Sequence, residues 1–79
     1  MKELQISFGS IREIEQFVRI ATGTVGGIRV SEGNKVTNGK SILGLISMGL
    51  SKTLTVAVDG SDAEYHTFLT AISDFLVTN

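Results

Sequence analysis

The hydrophobic period of this chain changes between its first two elements, and that change restricts the fold more than any other feature. Leu4, Ile6 and Phe8 alternate with Glu3, Gln5 and Ser7. A period of two places apolar side chains on one face of a strand. Ile11, Ile14, Phe17, Val18 and Ala21 then recur at helical spacing, with Arg12, Glu13, Glu15, Gln16 and Arg19 on the other face. Ser10-Ile11-Arg12-Glu13 reads as a capping box, in which Ser10 is the N-cap and Glu13 reaches back to the Ser10 amide. Gly23 is expected to end the helix in the left-handed C′ conformation.

The same two periods recur down the chain. Val25 to Ser31 is expected as a second strand with Ile28 and Val30 inward. Gly33-Asn34 is a hairpin signal, and Lys35 to Thr37 a short third strand. Ser41 opens a short helix that runs to about Gly49. Leu54, Val56 and Val58 mark a fourth strand, and Asp59-Gly60 turns the chain. Ser61-Asp62-Ala63-Glu64 is a second capping box. It opens a last helix with Tyr65, Phe68, Leu69, Ile72, Phe75 and Leu76 at helical spacing. The order β-α-β-β-α-β-α, with no repeat or linker, predicts one α+β domain over residues 1–79. Four short strands form a sheet covered by helices on one face.

Composition narrows the function. A 79-residue chain buries only about 60% of its unfolded surface, so its core must be well organised. The absence of Cys rules out a disulfide staple and a thiolate metal site, and a single His makes a dedicated metal cage unexpected. No cofactor is expected. Seven basic and eight acidic residues give a net charge of −1, without the clustered Lys and Arg of a nucleic-acid footprint. No apolar run reaches the roughly 20 residues that membrane insertion takes. Charged and polar residues interrupt the start at once, which does not suit a signal peptide. A cytoplasmic protein is expected.

Lys35-Val36-Thr37-Asn38-Gly39-Lys40-Ser41-Ile42-Leu43-Gly44-Leu45-Ile46-Ser47-Met48-Gly49 resembles the regulatory-serine region of the HPr phosphocarrier family. In Gram-positive members that region reads much like Val-Asn-Ala-Lys-Ser-Ile-Met-Gly-Leu-Met-Ser-Leu-Gly. The resemblance extends over the chain in element order. It implies the HPr fold, an open-faced β-sandwich with a four-stranded antiparallel sheet and three helices on one face. The family's other motif, Gly-x-His-Ala-Arg-Pro-Ala, falls on Phe8 to Ile14 when counted back from Ser41. Arg12 matches the motif's arginine. Ser10 stands at the phosphate-accepting histidine and Glu13 at the proline. The chain thus resembles the histidine-lacking, Crh-like members.

The departure removes a chemistry. An imidazole nitrogen is nucleophilic near neutral pH and forms a phosphoramidate that transfers readily, whereas a serine hydroxyl forms a stable ester and needs a base to react. Ser10 is therefore read as a cap and not as a catalytic residue. His66, the single histidine, lies in the last helix, away from Arg12. What remains is Ser41. As an N-cap it faces the amides of Ile42, Leu43 and Gly44 and the positive end of the helix dipole. A phosphate there would add about −1.5 to −2 charge without unfolding the helix, and Lys40 is adjacent to pair with it.

Ile42, Leu43, Leu45, Ile46, Met48 and Leu50 occupy more than one face, and a short surface helix has one side against the core. Leu43, Ile46 and part of Ile42 are expected to be exposed as a partner surface, the alternatives being the contact of a weak homo-oligomer or partial cover by a loop. The resemblance implies that Arg12, Lys40, Ile42, Leu43 and Ile46 bind partners and that Ser41 is the site of regulatory phosphorylation. The partners implied are an HPr kinase/phosphorylase and a transcriptional regulator or transport enzyme. Three functions follow: a regulatory module, a phosphocarrier component, or a scaffold domain with another partner.

Overall fold

The structure is a computed structural model in which residues 2–24 and 26–77 are described. Strands β1 (Lys2–Ile6), β2 (Ile28–Glu32), β3 (Lys35–Asn38) and β4 (Leu54–Val58) alternate with helices α1 (Ile11–Thr22), α2 (Ile42–Met48) and α3 (Asp62–Ala71) in the expected order. The sheet is antiparallel throughout, in the order β1-β4-β2-β3. Leu4, Val56 and Val30 lie side by side across three strands. They are buried with Ile6, Leu54, Ile28 and Val58, so the inward residues read from the alternation all reach the core.

The three helices close that face, with α1 against both α2 and α3. Four phenylalanines knit the layers. Phe8 meets Phe17 at 5.3 Å and Phe75 at 5.7 Å, and Phe17 meets Phe68 at 5.8 Å, all edge to face. Such pairs add to the about 1.5–3 kcal/mol that burial of each ring contributes. No polar residue is buried among those described. Cohesion is therefore apolar, as a small domain without disulfides requires.

Several local expectations change. Gly23 is not left-handed: at φ −80° and ψ −1° it continues α1, and its amide bonds the Arg19 and Ile20 carbonyls. Ile11, expected on the apolar face, is the first residue of α1 and is 49% exposed. β2 starts at Ile28 and not at Val25, which lies outside the described residues, and β3 extends one residue further, to Asn38. The hairpin between them places Gly33 at φ 59°, the conformation that glycine-first two-residue turns need. The last helix stops at Ala71, where a 3₁₀ turn (Ser73–Phe75) takes over. Leu76 then bridges Ile6, the Ser7 amide donates to the Phe75 carbonyl, and the Val77 amide donates to the Gln5 carbonyl. The end of the described chain thus runs along the outer edge of β1.

Candidate functional site

The exit of α2 meets the entrance of α1, while the start of α2 lies by the loop that leaves α1. The Ser51 amide donates to the Phe8 carbonyl at 2.8 Å, tying the exit of α2 to the entrance of α1. Ser51 is held at φ 60° to do so, the one non-glycine with positive φ among the described residues. This tie carries Leu50 to the neighbourhood of Gly9 and Ser10.

Ser10 is the N-cap of α1, with its Oγ accepting from the Glu13 amide at 3.3 Å. The expected reciprocal bond is displaced by one residue. Glu13 Oε1 accepts from the Gly9 amide at 2.8 Å, not from Ser10. Arg12 is exposed beside it. Ser41 caps α2 in the same way: its Oγ accepts from the Gly44 amide at 3.2 Å and its carbonyl from the Leu45 amide at 3.1 Å. No acidic residue lies in the first turn of α2. Gly44 lets α2 sit close on β3, since a Cβ there would fall on Thr37 Oγ1.

Lys40 does not point at Ser41. Its Nζ donates to the Thr24 carbonyl at 3.0 Å, across the loop that leaves α1. A phosphate on Ser41 would have to draw it from that carbonyl. Leu43 is 77% exposed and Ile46 38%, and Ile42 is half-buried against the core. Leu50 and Ile11 are also exposed. Exposed apolar residues therefore occur not only on α2 but also just after it and in the first turn of α1, which the exit of α2 is tied to. The signal for Leu50 was present, as it fell outside any single helical face. His66 is exposed on α3, against Tyr65 at 5.9 Å. Among the described residues no three His, Cys, Asp or Glu side chains gather as a metal site, and no helix is long and apolar enough to cross a membrane.

Comparison with known proteins fits this geometry. The family described as the PTS HPr component phosphorylation site matches residues 10–77. The structure is similar to HPr-C-His from Thermoanaerobacter tengcongensis, with 30% identity and a TM-score of 0.76 over 94% of this chain and 89% of that one. It is similar to the phosphocarrier protein HPr from Bacillus anthracis str. Ames, with 30% identity and a TM-score of 0.72 over 96% and 94%. The fold alone is shared with Crh of Bacillus subtilis, a catabolite repression protein that forms a swapped dimer, at 19% identity and a TM-score of 0.65 over 92% and 88%. Comparison with curated proteins gives no match. Fold, element order and a family match that begins at Ser10 and spans Ser41 lead to one conclusion: the chain belongs to the HPr phosphocarrier family.

Proposed function

We propose that this protein is a non-catalytic, HPr-like regulator of the sugar phosphotransferase system and of carbon catabolite control, switched by phosphorylation on Ser41 and unable to act as a histidine phosphocarrier. The observation that carries the reading is the pairing of a hydroxyl at position 10 with an intact capped serine at position 41. The exposed Leu43 and Ile46 supply a docking surface on the helix that this serine opens, with Ile42 at its rim, and the exposed Arg12 adds a cation at the entrance of α1. A phosphate at Ser41 meets a helix N-terminus whose first turn carries no carboxylate. Its added charge favours partners that present Arg or Lys. The partners proposed are an HPr kinase/phosphorylase and a transcriptional regulator or transport enzyme, in the cytoplasm, with weak self-association through the same apolar surface.

The experiment is treatment with HPr kinase and ATP followed by mass spectrometry. Ser41 should be the modified residue, and Ser41→Ala should abolish labelling. Ile46→Glu should weaken docking while the fold survives. An unmodified Ser41, beside an authentic HPr fully labelled in the same tube, sinks the reading. The second reading, a scaffold domain with an unrelated partner, then takes its place; Glu13 at the motif's proline position favours it.

A further inference from the structure

The start of α1 is occupied by its own chain. Ser10 Oγ takes the Glu13 amide and Glu13 Oε1 takes the Gly9 amide. A Cβ on Gly9 would lie 3.6 and 3.7 Å from the two Glu13 carboxylate oxygens, so the carboxylate sits directly over the residue before Ser10. Among the described residues no Lys or Arg forms an ion pair with it; the ion pair found is Lys2–Asp62. A phosphoryl group on a side chain at position 10 would bring on the order of two negative charges to this helix start. Helix amides attract such a group, and here a carboxylate already sits on the Gly9 amide just ahead of them.

We infer that Glu13 is a second, independent bar to phosphoryl transfer at the start of α1: a fixed negative charge held on the Gly9 amide repels an incoming phosphoryl group, whatever residue stands at position 10. The inference rests on the non-carrier reading above and deepens it, since the loss then lies in two residues. Like charges a few ångströms apart near a protein surface repel strongly enough to slow such a transfer on the order of tenfold. Glu13→Gln keeps the side-chain length and an oxygen for the Gly9 amide while removing the charge.

The test compares Ser10→His with Ser10→His/Glu13→Gln, using phosphoramidate as donor and ³¹P NMR as readout. In that reaction the P–N bond of phosphoramidate breaks, an imidazole nitrogen bonds phosphorus, and the displaced ammonia leaves with the imidazole proton. Both variants lose the Ser10 cap, so their difference isolates the charge, and His66 serves as internal reference in each. The double variant should be phosphorylated at residue 10 on the order of tenfold faster. The imidazole at position 10 should titrate at higher pH when Glu13 is present, a shift that a purely structural role would not produce. Equal rates, equal titrations, or no labelling of the double variant at residue 10 overturns the inference. Labelling of the unaltered chain by Enzyme I and phosphoenolpyruvate would instead sink the non-carrier reading alone.

Discussion

At the start of α1 a carboxylate lies on the backbone amide ahead of the cap. At the start of α2 the cap is the same residue type, yet the first turn carries no acidic side chain. Each helix places Ser as N-cap with its oxygen on the amide three residues on, at 3.3 Å and 3.2 Å. The difference lies in that third residue, Glu13 in one case and Gly44 in the other. A glutamate there reaches back and completes the ring of hydrogen bonds. A glycine there supplies nothing to the amides but allows close packing on the strand below. Two similar caps therefore present opposite electrostatic faces, one closed by an anion and one open to it.

The largest effect should come from Gly44→Ala. Alanine gains about 1 kcal/mol in helix propensity over glycine. Its Cβ would fall on Thr37 Oγ1 and lie 3.0 Å from Thr37 Cβ, and overpacking of this kind costs about 1–3 kcal/mol. With the overlap at the upper end of that range, a net loss of about 2 kcal/mol is expected in the unfolding free energy from urea titration, with partial recovery in Gly44→Ala/Thr37→Ala. Full stability in the single variant would mean that α2 is not held on β3 as described, and the comparison would lose its geometric basis.

The two caps come next. Ser10→Ala and Ser41→Ala should each cost about 0.5–2 kcal/mol. Ser10→Ala leaves the Glu13–Gly9 bond standing, whereas Ser41→Ala leaves the seven-residue α2 without a side-chain acceptor at its start. Hydrogen exchange should therefore speed up more at the Gly44 amide in one variant than at the Glu13 amide in the other. The reverse order would show that Glu13 adds nothing to the closure of α1.

The smallest effect belongs to α3, whose start carries the complete box. The Ser61 amide donates to Glu64 Oε1 at 2.8 Å and the Glu64 amide to Ser61 Oγ at 3.1 Å. The backbone bond first, and the Ser61 hydroxyl second, hold the Glu64 carboxyl below its ordinary value of 4.5. Because the folded value is the lower one, this contribution is complete above the unfolded value and disappears as pH falls through the folded value. The stability gap between the natural chain and Glu64→Gln should thus narrow below about pH 4.5. A gap constant down to strong acid would show that the box is not charge-assisted.

Strands, helices and the inward residues of the sheet were legible because burial imposes a period that the sequence must obey. Leu43 and Ile46 were legible as exposed because α2 is too apolar for one buried side. The identity of each cap was legible, but the route of each side chain was not. Glu13 turns to Gly9 instead of Ser10, and Lys40 turns to Thr24, by choices among rotamers that spacing does not encode. Ile11 misled because periodicity reports a face and not how far along the helix that face is covered. The end of α3 misled for a related reason: Phe75 and Leu76 keep helical spacing, yet Phe75 reaches Phe8 from a 3₁₀ turn and Leu76 pairs as extended chain.

That extended end has a consequence for assembly. A sheet grows by adding strands at its edges, and this sheet has two, β1 and β3. The bonds from Ser7 to Phe75 and from Val77 to Gln5 fill backbone positions along the first edge. An incoming chain would have to peel away residues 75–77 before it could add a strand there. The β3 edge, by contrast, is four residues long and begins with an exposed lysine. Growth by strand addition is therefore one-sided, and shortening the chain before Phe75 would turn a molecule with one short open edge into one with two.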